Sequence, residues 1–162
     1  MQIATLDIAG GVKGICPMPG RTGDYPGDLA ALLAWRPRLV VTLTETGELA
    51  ARGAASLPVD LAAAGVEWLH LPIPDFGTPP RGLRQGWSKI SQRLQPLDRM
   101  IVHCMGGCGR SGMILLRLMI DAGEAPDTAL ARLRTARPCA VETKAQMRWA
   151  TGLETPDLWR EA

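Results

Sequence analysis

Lysine is nearly absent: the chain has three (Lys13, Lys89, Lys144) against fifteen arginines, and its eighteen basic residues almost cancel sixteen acidic ones to leave a formal charge of +2. So small an imbalance excludes a bulk nucleic-acid or membrane-surface binder acting through its long-range field, and any cationic site must be local. Cysteine is sparse too. Four residues (Cys16, Cys104, Cys108, Cys139) at uneven spacing do not make the disulfide framework of a small secreted protein, so a reducing, cytoplasmic setting is expected. No stretch approaches the 18 or more apolar residues of a membrane span, and the start MQIATLDIAGG lacks the basic and apolar regions of a signal peptide. Aromatics are 4% of the chain, and the five tryptophans (Trp35, Trp68, Trp87, Trp149, Trp159) do not cluster, which suits packing. What is plentiful is apolar residue, 46% of 162 positions, enough for one domain over residues 1–162 with a core of its own.

Extended and helical patterns alternate between short Gly/Pro punctuation, which predicts an α/β fold in three layers, with a central, mainly parallel sheet between helices. Gln2 to Ile8 and Val12 to Cys16 read as a strand pair about Gly10-Gly11. Asp28 to Trp35 has helical spacing and stops before Pro37. Leu39 to Leu43 and Val66 to Leu71 are apolar runs expected inside the sheet, with two short helices between them because Pro58 interrupts the Ala-rich Glu48 to Gly65. Three prolines and a glycine in Ile73 to Pro80 demand a loop. Leu83 to Leu94 reads as a helix, Met100 to His103 as a strand, and Ser111 to Ala122, Asp127 to Ala136 and Thr143 to Leu153 as three more helices.

The informative stretch is Met100-Ile-Val-His-Cys-Met-Gly-Gly-Cys-Gly-Arg-Ser-Gly112: strand, glycine-rich turn, helix. Such a turn aims successive backbone N–H groups into a concavity above a helix N-terminus, a natural seat for phosphate or sulfate. Cys104 opens the turn and Arg110 closes it, so thiol and guanidinium can face one bound anion. A thiol so placed is of the nucleophilic kind, and Arg offers a planar bidentate fork that Lys does not.

The string HCMGGCGRS resembles the His-Cys-x5-Arg-Ser/Thr loop of the cysteine-dependent protein tyrosine and dual-specificity phosphatases. It is closest to the small group similar to cyclin-dependent kinase inhibitor 3 phosphatase, which also has an acid loop ending in Gly-Thr-Pro, here Pro74-Asp75-Phe76-Gly77-Thr78-Pro79. The resemblance implies hydrolysis of phosphate monoesters of Tyr, and of Ser or Thr, through a phosphocysteine, with no metal and no cofactor. It places His103 before the nucleophile Cys104 and Arg110 at the phosphate clamp. Backbone amides of Met105, Gly106, Gly107, Cys108, Gly109 and Arg110 line the cradle, Ser111 assists departure of the thiolate, and Asp75 is the general acid. Gln146, after Arg137-Pro-Cys-Ala-Val-Glu-Thr143, is similar to a glutamine that orients the hydrolytic water. The expected partner is a phosphorylated protein or small phosphoester, with neither nucleic acid nor membrane. Lipid phosphatases of related type carry Lys inside the loop, and this loop has none, so multiply charged inositides are disfavoured. Arg81 and Arg84 stand where they would read a second anionic group or simply form a solvated helix face.

Other readings attach to the same residues. Gly107 to Gly112 also spells GxGxxG, but no acid stands at the end of a second strand about 20 residues on, as dinucleotide binding requires. Cys104 and Cys108 lack a second pair at zinc spacing. A phosphoprotein-binding module with little turnover and a persulfide-carrying sulfurtransferase remain alternatives, separable by a phosphatase assay and by thiosulfate turnover with cyanide. Cys108, or Cys139 if the fold brings it near, is a candidate partner for Cys104 in a reversible disulfide; a small packed thiol is the plainer role.

Overall fold

In the computed structural model residues 1–153 are described. Five strands, β1 (Ala4–Ile8), β2 (Gly11–Pro17), β3 (Leu39–Thr42), β4 (Glu67–His70) and β5 (Arg99–Cys104), form one sheet in the order β1-β2-β5-β3-β4. Only β1 runs antiparallel, to β2 through the tight turn at Gly10-Gly11; the other pairings are parallel. Parallel strands need crossovers, and the helices α1 (Tyr25–Ala34), α2 (Thr46–Ala51), α3 (Leu57–Ala63), α4 (Arg81–Leu94), α5 (Gly109–Asp121), α6 (Pro126–Ala136) and α7 (Lys144–Thr151) cover both faces.

The strand period of two divides the core. Leu39, Val41, Met100 and Val102 point to one face and pack with Trp87, Leu94, Leu116, Leu133 and Trp149 of α4 to α7. Val40 and Ile101 point to the other and pack with Leu32, Leu49, Leu57 and Leu61 of α1 to α3. The expected three-layer α/β arrangement is what the chain adopts. No helix among the described residues is long and apolar enough to cross a membrane.

Two expectations change. The run at Val66 to Leu71 is not interior: β4 is an edge strand paired only with β3, and its residues are half-buried or exposed. Its apolar look comes from Trp68 and Leu69, which pack on the two faces from the rim. The first helix starts at Tyr25, three residues earlier than its apolar spacing indicates, because Asp24 accepts a bond from the Gly27 amide and Pro26 sits in the first turn. Tryptophans do pack: Trp87 and Trp149 meet edge to face, Trp68 stacks on His70, and Trp35 lies under the Arg99 guanidinium. Trp159 lies outside the described residues.

Candidate active site

β5 is the central strand, flanked in parallel by β2 and β3, so its C-terminal end opens where the loops after all three strands gather. His103 and Cys104 end that strand and residues 105–108 form the turn into α5. The turn must be glycine at Gly107, whose φ is +65° and where a Cβ would stand 2.4 Å from the Cys16 carbonyl. Gly109 is glycine for a different reason: a Cβ there would fall 2.3 Å from Glu142 Oε2 and 2.9 Å from Gln146 Oε1.

Every carbonyl of this turn is engaged away from the bowl. Met105 O accepts from Met18 N (3.3 Å), and Cys108 O accepts from Gly112 N (2.8 Å) and Val141 N (3.3 Å). Gly106 O and Gly107 O accept from the Arg137 guanidinium at 2.7 and 3.0 Å. The amides of Gly106 to Arg110, in contrast, give no hydrogen bond to any turn, loop or cap acceptor among the described residues. With carbonyls fixed outward, a ring of donors is left at the helix N-terminus, as the sequence led us to expect.

Arg110 is almost wholly buried, and its fork is held by Glu48, whose two oxygens accept from Nη1 and Nη2 at 2.7 and 2.8 Å. Nη1 also donates to Ile73 O (3.0 Å), and Nη2 lies 3.0 Å from Asp75 Oδ1. The acid loop is thus folded over the phosphate loop, with Asp75 half-exposed at its mouth. Burial pushes the Glu48 carboxyl up, but the bonds from Arg110 and the Glu45 amide outweigh it and hold the carboxyl below its ordinary value. Burial weakens Arg110 as a cation; Glu48, the Cys104 side chain and Asp75 more than compensate and raise its pKa.

Cys104 is buried and free. Behind it, His103 Nε2 meets Thr42 Oγ1 at 2.7 Å, and the same oxygen accepts from Trp68 Nε1 at 2.8 Å. The Thr42 hydroxyl, with one proton and two lone pairs, can serve both partners at once. Burial, then the charges of Arg110 and His70, push His103 down to about 3, so the imidazole is neutral. Ser111 Oγ and His103 Nδ1 are buried without a hydrogen-bond partner among the described residues. Gln146 is buried against the loop: its Oε1 accepts from the Glu142 and Thr143 amides, and its Nε2 donates to Gly77 O of the acid loop at 3.2 Å.

His103 to Ser111, Asp75 and Gln146, the site residues expected from the sequence, therefore gather at one end of the sheet. Three contributors were missed. Glu48 was legible only as one acid in an Ala-rich helix, although the Glu45-x-x-Glu48 capping box marks it as fixed in place. Thr42 and Arg137 stood in segments that carry the resemblance, but their roles gave no local signal, since their partners are 61 and 31 or fewer residues away in sequence. Both readings of the second thiol are corrected: Cys108 and Cys139 form a disulfide with each other, so neither is a packed free thiol and Cys104 pairs with neither. The bond joins the phosphate loop to the segment after α6 that Arg137 already clamps to it. Of the two arginines after the acid loop, Arg84 is turned back to Pro79 O (2.6 Å).

A buried Arg and a buried thiol across a donor-lined turn, under an acid loop, define a phosphate-ester site of the cysteine-dependent type. Residues 16–124, about two thirds of the chain, match the family described as "Tc-R-P: Polymorphic toxin system, DSP-PTPase phosphatase", and the chain belongs to that family. It is 33% identical to Tk-PTP, whose active-form crystal structure superposes with a TM-score of 0.71 over 95% of this chain and 98% of that one. Kinase associated phosphatase shares the fold at a TM-score of 0.81, with 22% identity over 94% of this chain and 93% of that one. A probable protein tyrosine phosphatase type IVA A of Dictyostelium discoideum is 28% identical over 87 residues, 52% of each chain, so this chain spans about half the length of the curated relative it matches.

Proposed function

We propose that this chain hydrolyses phosphate monoesters of protein tyrosine, and of serine or threonine, through a phosphocysteine on Cys104, with neither metal nor cofactor. One observation carries the reading: the loop carbonyls are all engaged while the amides of Gly106 to Arg110 take no turn, loop or cap acceptor among the described residues, beside a buried free thiol and a buried Arg110 whose Nη groups are held by Glu48, Ile73 O and Asp75. Preorganised donors aimed at an oxyanion supply the largest single stabilisation in such reactions.

In the first step Cys104 Sγ attacks phosphorus in line, the P–O bond to the leaving group breaks, and Asp75 gives its proton to that oxygen. In the second, water attacks phosphorus, Asp75 takes the proton back, and the S–P bond breaks to return the thiolate, which the Ser111 hydroxyl receives with a hydrogen bond. Met105 to Arg110 hold the equatorial oxygens. His103 fixes the end of β5 beneath the sulfur, and Gln146, tethered to the acid loop through Gly77, positions the water. The domain doing this comprises the whole of residues 1–162.

The test is hydrolysis of p-nitrophenyl phosphate and of a phosphotyrosine peptide in EDTA. Cys104→Ser is expected to abolish both. Asp75→Asn should slow the peptide by roughly 10²–10⁴-fold, the usual worth of a general acid, and p-nitrophenyl phosphate less, because its leaving group needs little protonation. A folded wild type that turns over neither substrate refutes the hydrolase and leaves a phosphoprotein-binding module.

A further inference from the structure

Beside the phosphate loop lies a second cationic feature that the reaction above does not use. The chain leaving β2 makes two successive tight turns, Arg21 N to Met18 O (3.1 Å) and Gly23 N to Gly20 O (3.0 Å), with Gly20 and Gly23 at φ of +83° and +96°. These turns are fixed at both ends: Met18 N reaches Met105 O of the phosphate loop, and Gly20 N donates to the buried Asp28 carboxylate. Against them packs the end of α2, so closely that a Cβ on Gly20 would come 2.8 Å from Arg52 O. The result is a cleft of about 400 Å³ lined by Gly20, Arg21, Thr22, Gly23, Ala51 and Arg52.

Both arginines are exposed, and neither has a carboxylate within ion-pair distance among the described residues; Arg52 makes only a long contact to Arg21 O (3.4 Å). The cleft opens at the same C-terminal edge of the sheet as Cys104, since β2 and β5 end in register at Pro17 and Cys104. Arg52 lies four residues after Glu48, the residue that grips Arg110. Four helical residues rise about 6 Å, and with a guanidinium's reach the second anion site falls on the order of 10 Å from the first. An extended peptide advances about 3.3 Å per residue, so this separation is about three residues.

We infer that Arg21 and Arg52 form a subsite for a second anionic group, carried about three residues from the phosphorylated one on an acidic phosphopeptide. The inference rests on the phosphate-monoester reading of Cys104 and names the substrate class within it. Its chemistry is shared by a carboxylate and a second phosphoryl group, to either of which a guanidinium donates bidentately; the helix-face arginines Arg81 and Arg84 are not part of it.

The experiment compares phosphotyrosine peptides with Ala, Asp or phosphoserine three positions before or after the phosphotyrosine. Wild type should favour one acidic peptide about tenfold in kcat/KM over its Ala counterpart, and the phosphoserine arm shows whether phosphate outdoes carboxylate. In Arg21→Ala/Arg52→Ala that ratio should fall to about one, and Arg21→Glu/Arg52→Glu should prefer a Lys peptide instead. A wild type indifferent to the acid, or an acid preference that survives in the double variants, overturns the subsite. Anisotropy of the same peptides on Cys104→Ser protein reads the preference without turnover. A lost acid preference there refutes the subsite, whereas a preserved one beside a folded wild type that hydrolyses neither substrate refutes only the catalytic reading.

Discussion

His103 illustrates how one buried side chain sets a pH limit on the molecule. Its folded-state value of about 3 lies far below the unfolded 6.5, so between these pH values the unfolded chain binds a proton that the folded chain refuses. Stability therefore falls as pH drops below about 6.5, by about 1.4 kcal/mol per unit. Denaturant unfolding at pH 7 and pH 5 should differ by about 2 kcal/mol from this residue, and His103→Gln should flatten that slope; an unchanged slope in the variant would remove His103 as its source. Glu48 works in a lower window and with opposite chemistry. Its carboxylate is favoured by folding, so its contribution is full above about 4.5 and is lost as pH falls through its depressed folded value. Glu48→Gln leaves the buried Arg110 short of its bidentate partner and should cost about 3 kcal/mol at pH 7, at the lower end for a broken buried pair because Glu48 is partly exposed. The gap to wild type should narrow in unfolding curves taken below pH 4.5; a constant gap would mean the pair's charge is not the cause.

At the scale of elements, the segment between α6 and α7 is the unexpected part of the architecture. It is bound to the phosphate loop by the Arg137 guanidinium, by Val141 N and by the Cys108–Cys139 bond, and Val141 adopts φ of +64°, a left-handed conformation that a β-branched residue resists. That backbone persists because both sides are fixed: Arg134 donates to Ala140 O and Val141 O, and a Cβ on Gly112 would stand 2.7 Å from Val141 N. Closing a loop of 31 residues stabilises by roughly 3–4 kcal/mol on chain-entropy grounds. Reductant should then lower the melting temperature by about 10 °C, and Cys139→Ser should melt at that lower temperature and ignore reductant. Equal melting with and without reductant in wild type would show that the bond contributes nothing to stability.

Over the whole molecule, what the sequence disclosed was whatever repeats or punctuates locally. Short apolar runs marked the strands, Pro37 and Pro58 marked boundaries, and a strand–glycine–helix sequence marked the phosphate loop. Legibility ended where a property depends on a distant partner. Whether a strand is an edge depends on its neighbours, which is why β4 read as interior. Glu48 gains its meaning from Arg110, 62 residues on, and Thr42 from His103, 61 residues on. Cys139 was sequence-visible but its partner was not, because four cysteines permit several pairings and only the folded path brings residues 108 and 139 together.

The strand order also dictates a timetable. β5, which delivers Cys104, is the last strand made among the described residues, yet it must insert between β2 and β3, which precede it by dozens of residues. A ribosome therefore releases Glu48 and Asp75 before the arginine they hold, and Cys139 and Gln146 only after the nucleophile has emerged. During that interval the nascent chain holds Cys104 and its loop without the Arg137–Gln146 segment that clamps the loop from behind.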